Sequence, residues 1–386
     1  GRLSVKWETE IGETITAPVV ATDRVYVAER DAYTVHCLDR KNGAPLWRFL
    51  ANGPVDSPPT IYARLCVFGC GDGSVYCLDG ETGKMAWRFK TSVIERRVGS
   101  ENRLESPLPV SGSVLIQDDT VYFAAGRSTN LDGGIRVYGL DVWTGEKKYE
   151  RILASGPWGP DHGRGLLPDI LASDGTTLNM RHTRFDKELN TAKGRGGLIA
   201  ATGLLEDTWY HRQGWSGGGG KGQLVSFRGA QSFSVVNPYT GLKKRRKGMF
   251  KQFNQDGHLH QKFTRYEEEF FPLGATITAG AGRRGNGNTW SRDENFQPRA
   301  MILAGQKLIL AGWLDDALLV ELKSGRPKNP ANPDPHESVL RIHAAADGAP
   351  ISERKLEAEP VFDAAAAAYG NVFLSLQNGK LLCLGE

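Results

Sequence analysis

The strongest constraint on this chain is a strand–turn–strand unit that returns at a fixed spacing. Tyr33 to Phe49 reads YTVHCLDRKNGAPLWRF, and Gly71 to Phe89 reads GDGSVYCLDGETGKMAWRF. Leu38-Asp39 matches Leu78-Asp79, Gly43 matches Gly83, and Trp47-Arg48-Phe49 matches Trp87-Arg88-Phe89. Ser74 to Leu78 carries the β-branched and aromatic residues of a strand, and Asp79 to Gly83 is a turn with Gly where φ > 0 is needed. Lys84 to Phe89 then returns as an outer strand. A unit this small cannot bury its apolar faces alone, so the repeat predicts small sheets stacked face to face.

Taken in order, the units read as an inner strand A, a hairpin B–C and an outer strand D. The first three start at Ile15, Asp56 and Glu105, and the third ends near Arg151. In the fourth, Leu167 to Leu171 is strand A and Thr177 to Phe185 strand B. The fifth begins near Asp207, with Gln223 to Phe227 and Gln231 to Val236 as hairpin B–C and Trp290 as its outer-strand Trp. The sixth starts at Arg299 and the seventh at Phe362, with its third strand at Lys380 to Leu384. The last unit lacks strand D. Leu3 to Glu10, with Trp7, can supply it and remove an exposed edge. The expectation is an all-β, seven-bladed propeller, eight blades being the alternative count. It forms a single domain over residues 1–386, with an insertion at about 242–288.

The blade ends follow a pattern like LD-x-x-TG-x-x-x-W. Leu78-Asp79-Gly80-Glu81-Thr82-Gly83-Lys84-Met85-Ala86-Trp87 meets it at every defined position. Leu140 to Gly145 keeps the turn with Tyr149 in place of Trp, and Asn237-Pro238-Tyr239-Thr240-Gly241 keeps the turn only. In this the chain resembles the quinoprotein-like, PQQ-type repeat propeller superfamily. That superfamily includes quinone-dependent dehydrogenases, a lipoprotein of outer-membrane assembly and many extracytoplasmic proteins. The resemblance implies the fold and a place outside the cytoplasm, periplasmic or secreted. The sequence begins at Gly1 without Met, so a mature or trimmed chain is expected, without its targeting segment. The resemblance does not carry the quinone. The related dehydrogenases have two adjacent cysteines beside the cofactor, and Cys37, Cys66, Cys70, Cys77 and Cys383 include no such pair. No cofactor is therefore expected, a PQQ-dependent dehydrogenase being the less favoured reading.

Composition narrows the partners. With 48 basic against 44 acidic residues and a net charge of +4, nucleic acid is not an expected partner. No apolar run reaches the ~18–20 residues of a membrane-spanning helix. Cys37, Cys77 and Cys383 share one repeat position, that of a small buried residue. Cys66 and Cys70, ~13 Å apart along a strand, cannot pair with each other, though one of them could meet Cys77 across the hairpin.

Function is sought where the repeat breaks down. Met180 to Asp186 would place Arg181, His182, Arg184 and Asp186 on one strand or its end. Asp207, Trp209, Tyr210, His211, Arg212 and Trp215 fall where a strand A is expected. Trp and Tyr offer stacking faces, and Arg holds a carboxylate or sulfate through two parallel hydrogen bonds. The expectation is recognition of a protein or carbohydrate partner through the face bearing segments 180–216 and 242–296. Arg181, Arg184, Asp186, Asp207, Trp209 and Trp215 would serve as ligand-binding residues. The alternative is a polysaccharide lyase, with His182, Tyr210, His211 and Arg212 catalysing β-elimination on an acidic sugar.

Asp56, Glu105, Asp169 and Asp363 lie at comparable points of strands A, either ringing a channel mouth or capping turns. His258 and His260, near Asp256, lack a third metal ligand, and no metal is expected. Lys243 to Lys247 reads as a solvated loop able to meet an acidic polymer or anionic lipid head group. Gly217 to Gly220 reads as a loop without phosphate-binding context.

Overall fold

The structure, a computed structural model, describes residues 3–92, 96–100, 103–154, 167–180, 183–192, 199–202, 214–217, 220–222, 224–229, 231–236, 275–281, 288–294, 296–314 and 337–386. The ordered elements among them are all strands, and the fold is a seven-bladed β-propeller. The first three sheets hold Val19–Ala21, Arg24–Glu29, Thr34–Asp39 and Pro45–Leu50; Thr60–Tyr62, Leu65–Cys70, Ser74–Asp79 and Met85–Lys90; and Leu115–Gln117, Thr120–Ala125, Ile135–Asp141 and Lys147–Leu153. The fourth has Ala172–Ser173, Leu178–Met180 and Thr183–Phe185; two smaller sheets outside this numbering join Val98–Ser100 to Arg103–Glu105, and Ile199–Thr202 to Gly214–Gly217 and Gly220–Gly222. The fifth has Leu224–Arg228, Gln231–Val236, Ala275–Ala281 and Asn288–Glu294, and the sixth Phe296–Ala304, Lys307–Leu314, Ser338–Ala344 and Pro350–Leu356. In the seventh, Pro360–Ala368, Asn371–Leu376 and Lys380–Gly385 are joined by Ser4–Glu10, which pairs antiparallel with Lys380–Gly385. The first strand of the chain thus completes the last sheet, as expected. Residues 3–217 with 364–386 form one compact unit, and 218–363 form another.

Inside the first unit the sheets pack through alternate residues of their middle strands. Val67, Val75 and Cys77 of the second sheet meet Val121, Phe123 and Tyr138 of the third. Edge-on aromatic pairs extend this contact outward, Phe49 with Tyr76 at 5.6 Å and Phe89 with Tyr138 at 5.2 Å between centroids.

In four of the sheets the repeat Trp links the sheet to the turn of the next. Trp7 Nε1–H donates to Arg40 O, Trp47 to Gly80 O, Trp87 to Val142 O and Trp290 to Ala345 O, at 3.0–3.1 Å. Each acceptor belongs to the residue after the first position of a third-to-fourth-strand turn. The glycine closing that turn lies under the same indole. Gly43, Gly83, Gly145 and Gly348 have φ between +69° and +74°, and a Cβ on any of them would lie 2.5–2.8 Å from ring or neighbouring side-chain atoms. Glycine is required there on two counts, the left-handed backbone and the indole above it. On the third sheet's outer strand, facing the fourth sheet, Tyr149 replaces Trp and has no ring N–H. The Tyr122 hydroxyl instead donates to Lys187 O at 2.8 Å, and Leu189, buried at φ +66°, occupies the turn's left-handed position.

Two expectations are corrected. Thr177 to Phe185 is not one strand, because Met180 pairs with Thr183 and Leu178 with Phe185, making a hairpin. In the fifth sheet, Leu224–Arg228 and Gln231–Val236 are the first and second strands, not the second and third. The Thr240-Gly241 dipeptide imitates the repeat's turn, but the third strand comes only at Ala275–Ala281. Residues 275–281 therefore belong to the sheet rather than to an insertion reaching 288, and the stretch from Asp207 does not hold the first strand. The cysteines are also corrected: all five are free and buried, so neither Cys66 nor Cys70 is bonded to Cys77.

The latch predicts a graded response. Gly145→Ala meets both a left-handed backbone and the Trp87 ring at 2.7 Å, whereas Gly133→Ala, at φ +86°, meets nothing within 4 Å. Denaturant melts should show Gly145→Ala losing about 1–3 kcal/mol and Gly133→Ala distinctly less. Equal losses would remove the indole from the explanation.

The turn aspartate adds a pH signature. Asp141 accepts a hydrogen bond from Lys148 Nζ at 2.8 Å and from the Trp143 and Thr144 N–H groups, and these contacts draw its carboxyl down to about 2. A folded value below the unfolded ~3.9 gives stability that is fully present above pH ~4 and lost as pH falls through about 2. Thermal melts from pH 5 to pH 2 should show a shallower decline for Asp141→Asn than for the parent chain.

Candidate functional site

Antiparallel order gives each sheet two unlike ends. First-to-second and third-to-fourth connections share one end, and second-to-third connections and links to the next sheet share the other. At the first end, connections are as short as Thr22-Asp23, Ala63-Arg64 and Gly305-Gln306, and the turns 40–44, 80–84 and 142–146 are alike. They are held by the aspartates Asp39, Asp79 and Asp141, which accept backbone N–H groups. The second end carries the long segments: 126–134 and 154–171 in the first unit, 237–274 and 315–337 in the second. This end is the candidate recognition surface.

In the first unit, charge at this end comes in compensated groups. Arg30 Nε pairs with Asp56 at 2.5 Å. Asp132, in the 126–134 connection, lies between Arg127 at 2.5 Å and Arg96 at 3.4 Å. His36 contacts Glu29 at 3.2 Å, and its burial outweighs that carboxylate, so the imidazole is held below its ordinary range.

The most enclosed group is built on the second sheet's hairpin. The Asp72 side chain, 1% exposed, receives Arg88 at 2.6 Å, the Tyr76 hydroxyl at 2.7 Å and the Ser74 N–H at 2.9 Å. Arg88 also lies 4.9 Å from the Tyr76 ring centroid. Burial, followed by the Asp72 charge, pushes the neighbouring Cys70 thiol well up, away from a reactive thiolate. The clue to this network was the Arg between the two aromatics of Trp-Arg-Phe, which the register sets opposite Tyr76.

Few of the residues singled out from sequence are among those described. Arg181, His182, Asp207, Trp209, Tyr210, His211 and Arg212 lie outside the described residues. Trp215 lies on the short strand Gly214–Gly217, its backbone paired with Ala200. Arg184 stands opposite Asn179 and donates to Thr177 Oγ1 at 3.0 Å. Asp186 accepts the Glu188 and Asn190 N–H groups and the Asn190 amide. Its carboxyl feels desolvation upward, but the bonds from Asn190 and Glu188 hold it below its ordinary value. Arg184 and Asp186 thus have local partners. Of the four strand-A acids, Asp56 is in its ion pair, Asp169 is buried and accepts the Ile170 N–H, Glu105 ends the strand Arg103–Glu105, and Asp363 is exposed at φ +54°. His258, His260 and Lys243 to Lys247 also lie outside the described residues.

Strand order makes the chain a β-propeller, and its repeat is similar to the PQQ type. Residues 4–163 match the family model described as outer membrane protein assembly factor BamB. Among solved structures, the chain is similar to the quinohemoprotein alcohol dehydrogenase of Comamonas testosteroni (TM-score 0.53, 13% identity), covering 100% of this chain and 77% of that one. It is also similar to quinohemoprotein alcohol dehydrogenase ADHIIG of Pseudomonas putida HK5 (TM-score 0.50, 10% identity), covering 99% and 76%. BamB of Moraxella catarrhalis gives a TM-score of 0.43 at 12% identity, covering 99% and 86%. No curated protein matches the sequence. At these identities the likeness is one of fold.

The residues do not fit the quinone. The five thiols are buried at separate strand positions, none adjacent to another, and among the described residues no three His, Cys, Asp or Glu side chains gather as a metal site.

Breaking the Asp72 network should be costly. Asp72→Ala leaves Arg88 and the Tyr76 hydroxyl without their shared partner, and a loss of about 3 kcal/mol is expected in urea melts. Arg64→Ala, which removes the exposed partner of Asp79, should change stability by less than about 1 kcal/mol.

Proposed function

We propose that this chain is an extracytoplasmic propeller that recognises a protein partner, without quinone chemistry, through the sheet ends that carry its long connections. One observation carries the proposal. In the first three sheets and the sixth, the long connections fall at one end, and in the first three sheets short Asp-capped turns close the opposite end. Recognition segments can vary at the first end without disturbing the latches at the second. The family match over residues 4–163, described as an assembly factor, supports a protein over a carbohydrate as the partner. The compensated charges favour a partner that is itself mixed in charge, since isolated like charges would steer a polyanion. The carbohydrate and lyase alternatives rest mainly on residues 181–182 and 207–212, and no specific contact favours them.

A photo-crosslinking residue at Leu131, exposed in the 126–134 connection, should capture one defined envelope protein in the native cells. The same residue at Lys41, in the opposite turns, should capture none. Capture only from Lys41 would refute the assignment of the surface. Release of unsaturated uronate from an acidic polysaccharide, abolished in His211→Ala, would replace the reading with the lyase.

A further inference from the structure

Between the fifth and sixth sheets, both within residues 218–363, the repeat is broken in a second way. In the second and third sheets the equivalent contact is apolar, with Phe89 against Tyr138 and Leu140 buried beside them. Register alignment puts Arg292 at the Phe89 position, Arg341 at the Tyr138 position and His343 at the Leu140 position. Ser352, opposite Ile342, takes the place that Trp87 holds opposite Cys77. These substitutions leave a recess of about 230 Å³ lined by charged and polar residues together with Pro350 and the apolar stems of the arginines.

The lining is ordered by ion pairs. Glu294 contacts Arg292 and meets Arg341 at 2.8 Å, while Glu353 meets Arg341 at 2.7 Å. His343 is 2% exposed, and its Nδ1–H donates to Gly348 O at 3.1 Å. That bond fixes the tautomer and leaves Nε2 as a lone-pair acceptor, which has no hydrogen-bond partner. Burial holds the imidazole below its ordinary range, so it is neutral at pH 7. A buried acceptor without a donor costs about 1–3 kcal/mol, and a leucine at this position, as in Leu38, Leu78 and Leu140, would avoid the cost.

We propose that this recess binds a neutral, hydroxyl-rich ligand of one-sugar size, a hydroxyl of which donates to His343 Nε2 while others meet the Arg292 guanidinium and the Ser352 hydroxyl. Charge selects the class. Two guanidiniums and two carboxylates sum to zero with His343 neutral. An anion would have to displace Glu294 from both arginines, and a cation would face both arginines. A hydroxyl both donates and accepts, so a polyol can use acceptor and donor walls together. The volume corresponds to roughly seven or eight waters at about 30 Å³ each, the size class of one hexose. The site lies along the strands Asn288–Glu294, Ser338–Ala344 and Pro350–Leu356 rather than in the long connections, and the proposal is independent of the recognition surface above.

Saturation-transfer NMR titrations of the whole chain with D-glucose, D-galactose, D-mannose and N-acetylglucosamine test this, with D-glucuronate and inorganic phosphate as charged probes. At least one neutral sugar should bind saturably and more tightly than either charged probe. His343→Leu, which restores the repeat residue, should weaken that sugar about five- to tenfold with an unchanged or higher melting temperature. Arg292→Ala, at an exposed position, should weaken it without unfolding the chain. Absence of saturable binding by all four sugars, undiminished binding in both variants, or tighter binding of phosphate would each overturn the proposal.

Discussion

The structure depends on an indole lying over a glycine. Each latch joins two sheets through one N–H···O bond and one ring contact, and it works only where the glycine's left-handed backbone lets the ring approach. The hydrogen bond has a net worth of only about 1 kcal/mol. Its effect is larger because it fixes the angle at which a sheet meets the next, and the apolar middle strands then pack from that angle. The contact recurs at Gly43, Gly83, Gly145 and Gly348, far apart in sequence, so one local solution is used repeatedly. Where it is absent, the substitution is coherent. Tyr149 cannot donate from a ring nitrogen, the Tyr122 hydroxyl reaches the Lys187 carbonyl, and the left-handed position no longer requires glycine.

The latch also explains the unequal sheet ends. Turns that accept an indole are short and fixed in shape, so in the regular sheets length variation falls at the opposite end. The recognition surface is thus a consequence of the scaffold: the chain can elaborate only where no indole docks. The polar recess of the sixth sheet differs in kind, because it replaces apolar contact between sheets instead of extending a connection.

The regular sheets were legible from sequence because their signals are local. Period-two alternation, an Asp-to-Gly turn and a returning Trp lie within about twenty residues, and they placed the first three, sixth and seventh sheets together with the N-terminal closing strand. The fifth sheet misled because Thr240-Gly241 has the form of the repeat's turn without its position. What distinguishes a second strand from a third is the partner it pairs with, and Ala275–Ala281 is distant in sequence. At the site, the ligand candidates around 181–186 were grouped by assuming a continuous strand, whereas Met180 and Thr183 face each other across a hairpin.

The sequence by itself determined that the chain makes small antiparallel sheets, where most of them turn, and which glycines and tryptophans the turns require. Those requirements are conformational and act within one unit. Tertiary structure alone decided which carbonyl each indole meets, how Asp72, Tyr76 and Arg88 close on one another, and that Glu294 and Arg341, 47 residues apart, would frame a polar recess around His343. Such contacts arise between faces of different strands and sheets, and strand periodicity says which residues share a face without saying what that face will meet. The glycine under the indole marks the boundary: its need for φ > 0 was written in the turn, and the ring above it came from another sheet.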